Sequence, residues 1–266
     1  MKARILDNQK VSSRYFKMTL LCPEIVKKGK AGQFLMLRVN EKYDPLLPRA
    51  FAIHRTKTKH PHSLEILYQT AGRVTRLMSY MKSGEELSII GPLGNGFSIA
   101  QSKKRAIIIA GGIGVAPVYL LAEALKKANV QTDLFVGGKS KKDILCVNEF
   151  QSLGVKVKIS TDDGSRGKKG MASELLKDFI KKENTDSLKQ ISLYACGPHA
   201  MLQSIAGLAE THSLPCQISM EAKMACGMGA CQGCIVKTKA SDKNDFSYQR
   251  VCKEGSVFNA DEILWK

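Results

Sequence analysis

The chain has 266 residues, 44% of them hydrophobic and 24% charged, which excludes disordered, collagen-like and simple-repeat classes and fits two domains with a small appendage. The 41 basic residues against 24 acidic give a net charge of +17, which raises nucleic acid as a partner. The eight cysteines raise disulfides. Position within the chain argues against both. Residues 1–105 hold 20 basic and 7 acidic residues, while residues 211–266 hold 7 and 6. The excess is dispersed in short groups, the pattern of a solvated face or of a surface for an anionic cofactor or acidic partner. Few aromatics lie near these groups, so the stacking platforms of single-strand binders are not expected. The N-terminus lacks an apolar leader core, and Ala106–Ala122, uncharged, is broken by Gly111, Gly112, Gly114 and Pro117. No membrane or nucleic-acid partner is expected, and the reading is cytoplasmic.

Residues 1–100 read as β. Apolar runs at 34–39, 50–53, 64–68 and 87–90, separated by turn residues, predict a small antiparallel barrel, with one helix over 74–82 and a break at Gly91–Gly96. From Lys103 the pattern changes to alternating strands and helices. Strands are expected at 107–109, 133–136, 155–160 and 191–194, and helices at 118–127 and 172–181. That alternation predicts a doubly wound parallel sheet over residues 101–213. Between its first strand and helix lies Ala110-Gly111-Gly112-Ile113-Gly114-Val115-Ala116-Pro117. Glycines let backbone approach a pyrophosphate, and the helix N-terminus offers free N–H groups. Pro117 stands where the dinucleotide fingerprint G-x-G-x-x-G has its third glycine, so a plain tight turn competes with a nucleotide loop. The Cys196-Gly197-Pro198 turn, ending a later strand, supports the nucleotide reading. Cys196 itself is either a packing residue or part of a nicotinamide pocket.

Residues 214–266 are dominated by glycine and cysteine. Cys226, Cys231 and Cys234 have the spacing C-x4-C-x2-C, and Cys252 follows after 17 residues. That spacing matches plant-type [2Fe–2S] ligation, in which three thiolates come from one tight loop. Secretion-type disulfides have no support, and zinc sites usually pair two short knuckles where this chain has one triplet.

The order of barrel, glycine-loop domain and iron–sulfur tail resembles the ferredoxin reductase superfamily. It is most similar to the electron-transfer subunits of NAD-dependent bacterial dihydroorotate dehydrogenases. The resemblance runs the length of the chain and rests on 48–53, 91–97, the 111–117 loop, 161–165, 196–198 and 221–234. It implies an FAD on the barrel, with Arg49 pairing with the pyrophosphate and Ala50, Phe51 and Ala52 against the flavin. Tyr68, Gln69 and Thr70 would lie at the flavin edge, and Gly72, Val74 and Thr75 would open a phosphate-holding helix. It also implies NAD at Gly111, Gly112, Gly114, Pro117, Cys196, Gly197 and Pro198, and an FMN-containing catalytic partner in a heterotetramer of two copies of each subunit. Three departures stand out: Ala50 replaces the proline and Ala52 the serine of the family's Arg-Pro-x-Ser motif, Val74 stands where glycine is common, and Glu254-Gly255-Ser256 replaces Asp-Gly-Pro. On this reading electrons pass between the partner's FMN and NAD by way of the cluster and FAD, oxidising dihydroorotate to orotate, and no residue of this chain acts as a general acid or base. Two rivals remain: an NAD(P)H-linked reductase component for a ferredoxin, sulfide or oxygenase system, and a colourless basic binding module with a zinc-stabilised tail.

Overall fold

The computed structural model describes residues 1–99, 103–240 and 245–265. The expected boundary at 100/101 lies outside them. Seven antiparallel strands come first: β1 (Lys2–Ser12), β2 (Tyr15–Leu21), β3 (Phe34–Arg38), β4 (Arg49–Ala52), β5 (Arg55–Lys57), β6 (Ser63–Gln69) and β7 (Glu86–Leu93). They lie in the order β4-β3-β7-β1-β2-β6-β5. The two end strands are consecutive in the chain, so the sheet curls on itself. Phe51 of β4 meets Tyr68 of β6 edge-on, with ring centroids 6.1 Å apart. Two helices accompany the sheet, α1 (Pro23–Lys28) and α2 (Arg73–Tyr80). Alternate residues of the strands point inward, and Ile5, Met18, Leu20, Leu35, Leu37 and Ile66 fill the core. The expected break at Gly91–Gly96 comes later than the sequence suggests. β7 continues through Gly91-Pro92 to Leu93, which pairs with Phe34 across an irregular register. A bulge there accommodates a proline that has no ladder donor to give.

The second unit alternates β8 (Arg105–Gly111), α3 (Val115–Lys127), β9 (Gln131–Gly138), α4 (Val147–Ser152), β10 (Lys156–Thr161), β11 (Lys168–Lys169), α5 (Ala172–Ile180), α6 (Thr185–Lys189), β12 (Ile191–Cys196) and α7 (His199–Thr211). The remaining strands are β13 (Cys216–Ser219), β14 (Ile235–Lys239), β15 (Phe246–Arg250) and β16 (Val257–Asn259). The sheet order is β11-β10-β9-β8-β12-β13-β16, parallel except for β16. β8 shows why both faces are covered. Ile107 and Ile109 face the α5 and α7 side, while Ala106, Ile108 and Ala110 face α3 and α4. Each buried isoleucine contributes about 1.5–3 kcal/mol over exposure. α3 starts at Val115, three residues before the expected 118, because Pro117, in its first turn, needs no intrahelical donor. β13 and β16 extend this sheet past residue 213, and β14 and β15 form a separate hairpin.

The direction of strand progression reverses between β8 and β12. That is the switch point at which ligands of open α/β sheets bind. The glycine loop and Cys196–Pro198 leave the sheet side by side there.

Candidate functional site

A cavity of about 360 Å³ lies between the two sheets. The barrel contributes Ala50, Phe51, Ala52, Tyr68 and Gln69; the second sheet contributes Ala116, Pro117 and Cys196; the tail contributes Met220, Glu221 and Met224. Three distant segments of sequence thus line one cavity. Of the residues expected at FAD and NAD, Ala50, Phe51, Ala52, Tyr68, Gln69, Pro117 and Cys196 line it, whereas Arg49, Thr70, Gly72, Val74, Thr75, the loop glycines, Gly197 and Pro198 do not. Tyr68 is buried and stacks on Phe16, and its hydroxyl donates to Asn8 Oδ1 at 3.0 Å. Burial pushes its pKa up to about 12, so it stays a neutral hydrogen-bonding wall. Gln69 turns its amide oxygen to Arg14, 3.0 Å from Nη1 and 3.1 Å from Nε. Thr70 hydrogen-bonds the Arg14 carbonyl through both its N–H and its hydroxyl. Arg49 is exposed, and its guanidinium donates to the carbonyls of Leu47 and Pro48.

The start of α2 uses its polar groups internally. Thr75 Oγ1 accepts from the N–H groups of Ala71 and Gly72, each at 3.0 Å. This side-chain-to-backbone closure occupies the hydroxyl and the Gly72 donor that the sequence reading gives to a phosphate. The first-turn N–H groups that follow have no intrahelical partner, as at any helix start. Val74 is buried in the barrel core rather than facing the loop.

At the switch point the glycine loop is shaped by close approach. A Cβ on Gly114 would strike the Cys196 carbonyl, so only glycine lets the loop pack on the 196–198 turn. Gly111 is equally close to Pro198 and Met201, whereas Gly112, with φ +53°, faces open space. Cys196 is 2% exposed, and burial together with the charge of Glu221 raises its pKa, so it is a neutral cavity wall and no nucleophile. The Glu221 carboxyl is itself raised by desolvation at the cavity rim, although the residue as a whole is exposed.

The four tail cysteines converge. Cys231 N–H donates to Cys226 Sγ at 3.4 Å. N–H donors from Cys231, then Met228, lower the Cys226 thiol to about 6. Gly227 (φ +72°) and Gly229 (φ +88°) allow the loop to turn these donors onto sulfur, and a Cβ at 227 would strike Met36 of β3. Cys252 is brought to the loop by its neighbours. Val251 N–H donates to the Cys234 carbonyl at 2.9 Å, and Arg250 Nη1 donates to the Gly229 carbonyl at 2.9 Å. Glu254 accepts from Arg250 Nε at 3.0 Å, and this ion pair holds its carboxyl down to about 2. Burial, then the neighbouring Cys234, push Cys252 to about 12. One exposed and one half-buried sulfur, two buried ones and inward N–H donors form a donor set suited to an iron–sulfur cluster, whose irons hold the thiols ionised.

Comparison with known proteins agrees with this layout. Residues 221–264 match the iron–sulfur cluster binding domain of dihydroorotate dehydrogenase B, and residues 108–207 match the oxidoreductase NAD-binding domain. The dihydroorotate dehydrogenase B (NAD(+)) electron transfer subunit of Caldanaerobacter subterraneus subsp. tengcongensis is 38% identical over 265 residues, covering 100% of this chain and 98% of that one. That of Desulforamulus reducens is 34% identical over 264 residues, covering 99% and 98%. The chain belongs to the family of dihydroorotate dehydrogenase B electron transfer subunits. Among solved structures, one reported for an NADH-dependent reduced ferredoxin-NADP oxidoreductase superposes with a TM-score of 0.86 at 24% identity, covering 99% of this chain and 90% of that chain. A ferredoxin NADP+ reductase from Neisseria gonorrhoeae superposes at 0.67 and 16% identity, covering 80% and 91%. These two likenesses establish the fold: an antiparallel sheet unit, a parallel-sheet nucleotide domain and a small cysteine-rich tail. As a family member the chain is an oxidoreductase subunit with an NAD-binding and an iron–sulfur-binding domain.

Sequence reasoning missed the supporting residues. Asn8, Met36 and Arg250 carry no motif, and Glu254 stood out only as a departure from the expected Asp-Gly-Pro; each acts through a contact that only the fold creates. Ser256 donates to the Gly32 carbonyl at 2.6 Å and ties the tail to the barrel. Among the described residues no helix is long and apolar enough to cross a membrane.

Proposed function

We propose that the chain relays electrons between NAD and the FMN of a catalytic partner subunit, through a bound FAD and a [2Fe–2S] cluster, during oxidation of dihydroorotate to orotate. The cavity carries this reading, since it joins barrel strands, glycine loop and cluster segment in one space. FAD, when bound, exchanges an electron pair as hydride with nicotinamide and single electrons with an iron–sulfur centre. The chain's own residues position and shield. Ala50, Phe51 and Ala52 offer backbone and a ring to the flavin side of the cavity. Pro117, Cys196 and Glu221 bound the side that receives nicotinamide. Ala52 brings no hydroxyl, so polar contact there falls to backbone. Cys226, Cys231, Cys234 and Cys252 would ligate the cluster.

NAD rather than NADP fits the loop after β10. Asp162 and Asp163 stand at the strand end, and Lys168, one cation able to meet a 2′-phosphate, is paired with Asp178 of α5. The partner face is read beside the cluster. The β14–β15 hairpin leaves from Cys234 and returns to Cys252. It exposes Ile235, Phe246 and Tyr248, with Lys237 Nζ 3.5 Å from the Phe246 ring centroid. Met228 of the cluster loop is 53% exposed. Anaerobic pull-down from the source cell tests the assignment. The expected co-purifying protein is an FMN-binding, dihydroorotate-oxidising subunit in equal amount. Recovery of an oxygenase or sulfide-handling partner instead would overturn it.

A further inference from the structure

A second cluster of ligand-type side chains lies away from the four tail cysteines, at the seam between barrel and nucleotide domain. His54 follows β4 and is 1% exposed. Cys146 caps α4 and Glu149 lies in its first turn, three residues on and on the same face. A ring nitrogen of His54, Cys146 Sγ and a Glu149 carboxylate oxygen all lie within 4.8 Å of one another. Tetrahedral zinc ligands stand roughly 3.3–3.8 Å apart at ordinary bond lengths, so modest rotation closes the set.

Two further observations shape it. His54 Nδ1 is 3.0 Å from the Ala116 carbonyl, which can only accept. Nδ1 therefore carries the hydrogen, and in the neutral ring Nε2 keeps its lone pair. This is the outer-shell arrangement that fixes metal-binding histidines. Cys146 has φ +60°, a left-handed conformation that a non-glycine residue adopts at a cost. Lys17 Nζ sits 2.8 Å from Glu149 Oε1, and the Cys146 thiol hydrogen-bonds the same carboxylate, a contact that a cation held by both side chains would replace.

We propose that His54, Cys146 and Glu149 form a site for one zinc-class divalent cation that fastens the barrel to the nucleotide domain. The nitrogen–sulfur–oxygen set suits zinc, whereas calcium and magnesium take oxygen-rich shells. Ala116 lines the cavity between the sheets, so an ion on His54 also holds the two cavity walls in register. The competing description is a hydrogen-bonded seam in which the Lys17 ammonium is the sole cation.

The test uses the full-length protein purified anaerobically with its chromophores retained. It is dialysed against micromolar Zn2+ alone and then analysed for metal content and by zinc X-ray absorption. The expected result is one zinc per chain with a single sulfur and two or three nitrogen or oxygen neighbours, iron content unchanged. Cys146→Ser and Glu149→Gln should each weaken zinc binding by at least the ~10–100-fold that loss of an outer-shell partner costs. The two variants are independent, so misfolding of one leaves the other decisive. No retained zinc, a sulfur-rich zinc shell, or affinity unchanged in a folded variant would overturn the proposal.

Discussion

Single side chains decide whether the cluster loop can form. Gly227 combines a left-handed φ with a missing Cβ that would collide with Met36. Gly227→Ala should therefore abolish most cluster assembly, read as iron and acid-labile sulfide per chain. Adding Met36→Ala removes the collision and leaves the left-handed penalty of about 1–2 kcal/mol, so the double variant should regain part of the iron. Equal iron loss in both would show that contact with β3 does not shape the loop. That these four cysteines belong together was legible from spacing alone, since three cysteines on one tight loop leave a local signature. Arg250 and Glu254 were not legible, because an arginine four residues before a glutamate is common in any sequence. Their role comes from Gly229, 21 positions away, whose carbonyl Arg250 holds. The resemblance implies a phosphate-holding role for Thr75; its hydroxyl also closes on the backbone of Ala71 and Gly72, a contact that only the folded helix start creates.

Between elements, the seam joining β2 to the β9–α4 connection is polar and charge-paired. Arg14 Nη2 donates to Asp143 Oδ1 at 2.9 Å and the Tyr15 hydroxyl donates to it at 2.8 Å. Burial opposes ionisation of Asp143, but hydrogen bonds from Tyr15, Arg14 and Ser140 outweigh it and hold its carboxyl below the usual value. A group depressed in the folded state stabilises above its unfolded pKa. The seam should therefore hold at neutral pH and loosen as pH falls through about 4 and below. Asp143→Asn should cost about 1.5–3 kcal/mol in urea unfolding at pH 7, and the loss should shrink toward pH 3. An unchanged midpoint at pH 7 would mean that the seam contributes no stability. Strands 107–109 and 191–194 were legible because buried parallel strands are near-continuous apolar runs, broken in the second only by Ser192. β1 and β2 were not read as individual strands: in the part-exposed β1, polar residues outnumber apolar ones, and its partner defines it.

At the scale of the whole molecule, the tail is built into its neighbours. β13 pairs with β12, β16 pairs with β13, and Ser256 hydrogen-bonds the barrel at Gly32. Met36 of the barrel and Cys234 and Cys252 of the tail share one apolar cluster with Ile107 and Ile109. A chain ended at residue 213 should bare the β12 edge and lower solubility, measured as the soluble fraction on expression. A soluble fragment with native unfolding behaviour would show that the parallel sheet is complete without the tail. The sequence divided the chain by composition, and composition cannot show that a strand from one stretch completes a sheet in another. The pairs Arg14–Asp143, Lys17–Glu149 and Arg55–Glu123 join the barrel to the nucleotide domain, and because each is neutral the +17 excess stays with the remaining basic residues. In the proposed function one cavity couples nicotinamide, flavin and iron–sulfur chemistry. Anaerobic titration of the purified protein with NADH, followed by its visible spectrum, tests it most directly. The expected result is a brown-yellow protein with one FAD and two irons per chain, whose flavin and cluster bands both bleach as NADH is added. A colourless protein, or bound chromophores that NADH leaves unchanged, would contradict it.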